Sequence, residues 1–193
     1  MFIRFLDIFI SIFLIIVLFP IIIILIIAAL VFHKENIFFA QDRAGLNGKK
    51  FKLIKFRTML IDESLSDGER ITKFGSFLRN YSLDELPGFL NVIRGDMSLV
   101  GPRPLLLEYT KLYNNHQKRR LEVKPGVTGW AQVNGRNLIT WEEKFDLDVW
   151  YVDNKSLKLN LYILFLTVIK VFTKEGISAQ DDQPMPKFRG NIR

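Results

Sequence analysis

Ser82-Leu83-Asp84-Glu85, closely followed by Pro87, places two carboxylates side by side ahead of an apolar stretch. Adjacent carboxylates repel, so a pair held at one site splits its pKa values unless a cation compensates. That arrangement suits a nucleophile beside a proton handler or a metal ligand. The same four residues also fit a capping box, in which Ser82 and Glu85 would satisfy the first donors of a helix. With Ser82 as the cap, Pro87 falls where its missing donor begins to matter; with Asp84 as the cap, the proline sits harmlessly in the first turn. In both registers Asp84 lies at a helix N-terminus, where the dipole favours anions.

Cations accompany the pair. In "GPRP", Gly101 to Pro104, the following proline biases Arg103 toward extended geometry and the preceding one stiffens its approach, which would hold a guanidinium for a bidentate phosphate contact. A rigid turn accounts for the same residues. "GWAQVNGRN", Gly129 to Asn137, offers a turn at Asn134-Gly135 followed by Arg136. Lys55 and Arg57 share one strand parity, either as two cations turned to an anion or as exposed charges. Asp146-Leu147-Asp148 matches the DxD pattern of metal-dependent nucleotide-sugar glycosyltransferases, a tripeptide that arises often by chance.

Several chemistries are excluded or disfavoured. There is no cysteine, hence no disulfide, thiol nucleophile or iron–sulfur site. His33 and His116 are the two histidines, too few for a familiar zinc site. No GxxxxGKS, GxxxxGKT or strand-following GxGxxG pattern occurs, so neither phosphate-loop fold is supported. Chemistry must run on carboxylates, Lys and Arg. The net charge of +7 fits an anionic substrate or anionic lipid; nucleic acid is disfavoured, because the basic patches lack aromatic interleaving or a recognised motif. "QKRR", Gln117 to Arg120, reads as a solvated helix face or a contact with head groups.

The elements that must position these residues begin with an uncharged stretch, Ile8 to Phe32, which as a straight helix would run about 37 Å and cross a bilayer with some tilt. Pro20 divides it into halves of about 18 Å, which predicts either a kinked span or a helix that turns and returns to the same face. The apolar run is too long for a cleavable signal peptide, and no small-residue cleavage pattern follows it. Basic residues just after it place the remainder in the cytosol. About 160 residues then remain for one domain with a real core. Phe38 to Met59 reads as a β-hairpin turning at Asn47-Gly48, and Asp62 to Arg70 as a polar loop. In Lys155 to Lys174, Leu161, Leu164, Phe165, Val168 and Phe172 recur at helical spacing, predicting a buried core helix or one lying in the membrane interface. Residues 179–193 read as a loosely ordered tail.

Together, "AQDRAGLNGKKFKLIKFRTM", "RNYSLDELPGFLNVIRGDMSLVGPRPLLLEY" and "KPGVTGWAQVNGRN" resemble in order, spacing and wording the bacterial sugar transferases that act as monotopic phosphoglycosyl transferases on polyprenyl phosphate. The short layout is most similar to the members that initiate bacterial N-linked glycan assembly. The resemblance implies an α+β fold: a re-entrant membrane helix broken at Pro20 (residues 1–33), then a small mixed α/β catalytic domain with a β-hairpin and amphipathic interfacial helices (residues 34–178) on the cytosolic face of the inner membrane. Members usually carry Ser-Pro at the break, whereas here the pair is Phe19-Pro20. By the same resemblance Asp84 would be the nucleophile and, with Glu85, a ligand of Mg²⁺. Lys55, Arg57, Arg79, Arg103, Asn134, Arg136 and, more weakly, Asp148 would bind substrate. The partners implied are a UDP-sugar, leaning toward an N-acetylated amino sugar such as UDP-N,N'-diacetylbacillosamine, polyprenyl phosphate and anionic lipids. The rival reading is a silent membrane-anchored scaffold of a glycan-assembly complex.

Overall fold

The computed structural model describes residues 2–33, 36–62, 64–135, 138–173 and 187–190. It opens with α1 (Phe2–His33), then the hairpin strands β1 (Phe38–Ala44) and β2 (Lys50–Phe56). Helices α2 (Asp67–Arg70), α3 (Lys73–Asn80) and α4 (Gly88–Arg94) lead to strand β3 (Ser98–Val100). After α5 (Asn115–Lys118) come β4 (Gly126–Thr128), α6 (Trp130–Asn134), α7 (Trp141–Asn154) and α8 (Leu157–Thr173). The α+β class is as expected: β1 pairs antiparallel with β2, β3 pairs parallel with β4, and helices cover both small sheets.

The hairpin turns where the sequence places it. Asn47 and Gly48 take φ of 54° and 74°, a backbone that Asn and Gly tolerate best. On β2, Phe51 and Leu53 are buried, and Lys55 continues that inward row, so its neighbours are the core and the site. Asn91 of α4 is fully buried: it accepts from Ile54 N at 3.1 Å and donates to Lys52 O at 2.8 Å. That amide closes the edge of β2 left open by the hairpin and fixes α4 against Lys55.

Helix α1 differs from the broken helix expected, because it continues through Pro20. A proline removes one donor and bends a helix, while the turns on either side keep their own hydrogen bonds. Straight, its 32 residues would run about 48 Å. Yet its two ends rest on the same domain. Arg4 donates to Val92 O at 2.6 Å and Ile93 O at 3.0 Å, capping α4, and buried Asp7 accepts from Ser98 Oγ at 2.7 Å and Leu99 N at 3.1 Å. At the other end Leu25 and Ala29 are buried, Leu25 clustering with Phe56 and Leu78, while Phe32 stacks on Phe74. Between Ser11 and Leu25 no residue is buried.

Helix α8 separates the two readings of its apolar stripe. Ile163 enters the core, but Leu161, Phe165, Val168 and Phe172 are exposed, Phe172 at 81%. The buried-helix alternative is overturned because the face opposite this stripe, carrying Asn160 and Ile163, already fills the space against the core. The tail, 179–193, falls largely outside the described residues, yet Phe188 within it is buried among Tyr109, Tyr113, Trp141 and Phe145.

Candidate active site

Asp84 and Glu85 lie in a 3-10 turn, Leu83–Glu85, entered through Ser82 in the left-handed region at φ 55°. Neither capping arrangement forms. Ser82 makes no cap hydrogen bond, and Pro87 is the residue that caps α4. The reason is electrostatic: Glu85 turns to two cations instead of to the backbone. Its Oε1 accepts from Lys55 Nζ at 2.6 Å and from Arg103 Nη2 at 2.7 Å. Lys55 Nζ stands 3.8 Å from Asp84 Oδ2, a longer and weaker approach.

The two carboxylates therefore titrate apart. Burial alone would raise Glu85, but Arg103 and Lys55 outweigh it and hold the group well below the usual carboxylate range. For Asp84, burial wins: it pushes the pKa up, helped by the charge of Glu85 and opposed by Lys55, Arg103 and Arg79. Glu85 anchors cations, and Asp84 keeps its oxygens.

Arg103 is placed by backbone. Gly101 N donates to Thr128 O at 2.9 Å and Gly126 N to Pro102 O at 3.0 Å, extending the parallel pairing of β3 and β4 into the Gly-Pro-Arg-Pro loop. The crossing is so close that a Cβ on Gly126 would sit 2.1 Å from Gly101 N. Beneath the loop, Arg120 Nη2 donates to Arg103 O at 2.7 Å while its Nε and Nη2 hold Asp148 Oδ2 at 3.0 and 2.7 Å.

That contact corrects two expectations. Asp148, expected as a substrate ligand, is 2% exposed and spent on Arg120. Arg120, read as part of a solvated face, is buried with Gln117, since its guanidinium also packs over Tyr113 and Phe145. Two further expected ligands stand elsewhere. Arg57 follows the last residue of β2 and donates to Asn36 O at 2.7 Å, the main chain leading into β1. Exposed Asn134 donates to Trp130 O one turn back in its own helix. Arg79 donates to Thr58 Oγ1 at 2.9 Å, near enough for its charge to act on Asp84. Arg136 lies outside the described residues. Four of the expected residues, Lys55, Asp84, Glu85 and Arg103, thus converge.

An open cleft of about 370 Å³ borders this cluster, walled by Lys55, Glu85, Arg103 and Arg43 over a floor of Leu53 and Met97. Arg43 and Lys144 were not singled out from sequence. Lys144 lies over the Trp141 ring at 5.0 Å, and burial followed by the charge of Arg103 lowers its pKa to about 8. Arg43 sits inside the "AQDRAG" string, where only the fold shows that β1 turns it inward.

A profile of bacterial sugar transferases matches residues 1–174. The chain belongs to the bacterial sugar transferase family. Among members, it is 56% identical over 160 residues to the uncharacterized sugar transferase EpsL of Bacillus subtilis, covering 80% of this chain and 79% of that one. It is 43% identical over 157 residues to the galactosyl transferase CpsE of Streptococcus agalactiae, covering 72% of this chain and 35% of that protein. A third, 43% identical over 151 residues, is the UDP-glucose:undecaprenyl-phosphate glucose-1-phosphate transferase of Xanthomonas campestris, covering 70% of this chain and 31% of that protein. The chain spans about a third of the length of the last two. As a sugar transferase it is an enzyme by family, and its exposed apolar N-terminal helix marks membrane association.

The donor set bears on Mg²⁺. Among the described residues no group of three or more carboxylate, His or Cys side chains is placed to hold a metal. Asp84 and Glu85 would supply one or two oxygens, the pattern of Mg²⁺ bound chiefly by substrate phosphates and water. The pair fits that mode and no all-protein cage.

Proposed function

We propose that this sugar transferase moves a sugar 1-phosphate from a UDP-sugar to undecaprenyl phosphate, with Asp84 as nucleophile. The observation that carries the reading is the division of labour in the pair: Glu85 binds Lys55 and Arg103 through Oε1, while among the described residues the nearest cation paired with Asp84 stands at 3.8 Å. An Asp84 oxygen attacks the β-phosphorus of the donor. The bond from that phosphorus to the bridging oxygen breaks, UMP leaves with the electron pair, and the phosphosugar remains on Asp84 as an acyl phosphate. A phosphate oxygen of undecaprenyl phosphate then attacks the same phosphorus, forming the diphosphate-linked sugar lipid and freeing the carboxylate. The relay splits one encounter between a soluble and a membrane substrate into two.

Phosphoryl transfer depends mainly on positioning and on neutralising charge. Lys55 and Arg103, fixed by Glu85, border the position of the phosphates, and burial of Asp84 keeps the oxyanion reactive. Mg²⁺ held by Asp84 and Glu85 would add neutralisation of the diphosphate. The relatives are named for glucose and galactose, so the sugar itself is left to a donor panel that includes N-acetylated amino sugars.

The same reading makes the protein monotopic, on the cytosolic face of the inner membrane. A helix crossing the bilayer would carry Arg4 and Asp7 to the face opposite Phe32, yet both ends of α1 hold one domain. The exposed stripe of α8 then lies in the interface, with the lysines along and beside it facing anionic head groups. The test is UMP release by purified protein in detergent, with undecaprenyl phosphate and Mg²⁺, across UDP-sugars. Release that needs the lipid and Asp84 supports the transfer; release of UDP instead would sink it.

A further inference from the structure

The guanidinium of Arg43 is a cation that the chemistry above leaves unused. Nη2 donates to Gln41 Oε1 at 2.6 Å and Nη1 reaches Pro104 O at 3.3 Å. Nε is buried without a hydrogen-bond partner. Arg43 enters none of the ion pairs among the described residues, whereas Arg103 beside it is paired with Glu85. The cluster therefore sets three cations, Lys55, Arg43 and Arg103, against two carboxylates, and neither carboxylate pairs with Arg43. A part-buried cation with no ion-pair partner has lost hydration that an arriving anion offsets. Burial, and next the charge of Arg103, already lower the Arg43 pKa to about 10.

The cleft shows which anion fits. Its wall includes Glu85 and both arginines but not Asp84, so it takes the part of the donor that is not attacked. Leu53, Met97 and Val127 line the apolar side of the cleft and offer sugar hydroxyls no side-chain partner. Resting on the transferase reading, we infer that Arg43 and Arg103 form the phosphate site of the leaving nucleotide, gripping the α-phosphate on the Glu85 side while the β-phosphate meets Asp84. As the bridging oxygen departs with its electron pair, the UMP phosphate becomes a dianion. Two guanidinium forks facing it strengthen their hold as the charge develops.

The experiment uses the full chain in detergent: wild type, Arg43→Lys and Arg43→Gln, with inhibition by UMP, KM for undecaprenyl phosphate, and melting temperature with and without UMP. In Arg43→Gln the inhibition constant for UMP rises about tenfold or more, while the lipid KM stays within about twofold. The melting temperature without UMP holds or rises, because an uncompensated cation is gone, and UMP no longer stabilises. Arg43→Lys keeps the charge without the fork and recovers part of the affinity. Unchanged UMP inhibition in Arg43→Gln overturns the inference. So does a raised lipid KM with unchanged UMP inhibition, which would give the phosphate site to the acceptor. A wild type that transfers no phosphosugar, yet is stabilised by UMP only with Arg43 in place, overturns the transferase reading and keeps the site.

Discussion

Asp148 with Arg120 and Glu85 with Arg103 are both carboxylate–guanidinium pairs closed to 2.7 Å, and they sit on opposite sides of one loop. The first is sealed, each side chain 2% exposed, with Arg120 also reaching Tyr113 Oη and the carbonyl of Arg103. The second is half open: Arg103 is 41% exposed and Glu85 must serve Lys55 as well. A sealed pair with every guanidinium nitrogen engaged is a fastener. A pair in which one carboxylate answers several cations, beside a second carboxylate raised by burial, leaves charge for a ligand to complete. The sealed pair grips the backbone of the very arginine whose side chain serves the open one.

The largest expected effect breaks the open side. Asp84→Asn should reduce UMP release by more than about a thousandfold, as loss of a covalent nucleophile does. Its melting temperature should hold or rise at neutral pH. The folded-state pKa of Asp84 is raised, so its contribution is present at low pH and lost as pH climbs through the folded value. A stable Asp84→Asn protein with near wild-type turnover would remove the nucleophile from the mechanism.

Asp148→Asn should break the sealed side through stability, costing about 3–5 kcal/mol because Arg120 is left buried without its counter-charge. Denaturant unfolding measures it. Replacing both partners, Asp148→Leu with Arg120→Met, should recover much of that stability but not activity, since the hold on the Arg103 carbonyl is gone. Full activity in the double variant would show that the fastener does not position Arg103.

Glu85 should respond to pH in the sense opposite to Asp84. Its folded pKa lies below the unfolded value, so its stabilising contribution is present above about pH 5 and is lost as the solution is acidified. The difference in melting temperature between wild type and Glu85→Gln should shrink from pH 7 to pH 4; a constant gap would mean that the cations do not hold Glu85 ionised. The smallest effects belong to residues outside both pairs. Asn134→Ala should shift stability by no more than about 0.5 kcal/mol and leave UMP release within about twofold of wild type. A large loss of rate there would restore Asn134 to the site.

Much of the open pair was legible, because Lys55, Asp84, Glu85 and Arg103 each sit in a short string whose local geometry constrains them: strand parity for Lys55, two prolines for Arg103, neighbouring acids for the pair. The rest was not. Asp148 and Arg120 lie in separate strings, and nothing local distinguishes a buried aspartate from a ligand or a buried arginine from a solvated one. Arg43 was hidden for the same reason, since inward and outward residues of a short hairpin strand differ only in what packs above them. Asn91 is an ordinary helical asparagine until β2 lies alongside.

The sequence alone determined the kinds of chemistry open to this protein, its apolar N-terminal helix, the hairpin at Asn47-Gly48 and the adjacency of Asp84 and Glu85, because composition, periodicity and turn preference act over a few residues. Only the tertiary structure decided which carboxylate holds two cations and which is left with its oxygens, that Arg4 and Asp7 bring the start of α1 back to the domain, and that Asp148 fastens a loop. Those outcomes depend on burial and on distances between charges far apart in the chain, which the folded arrangement alone sets.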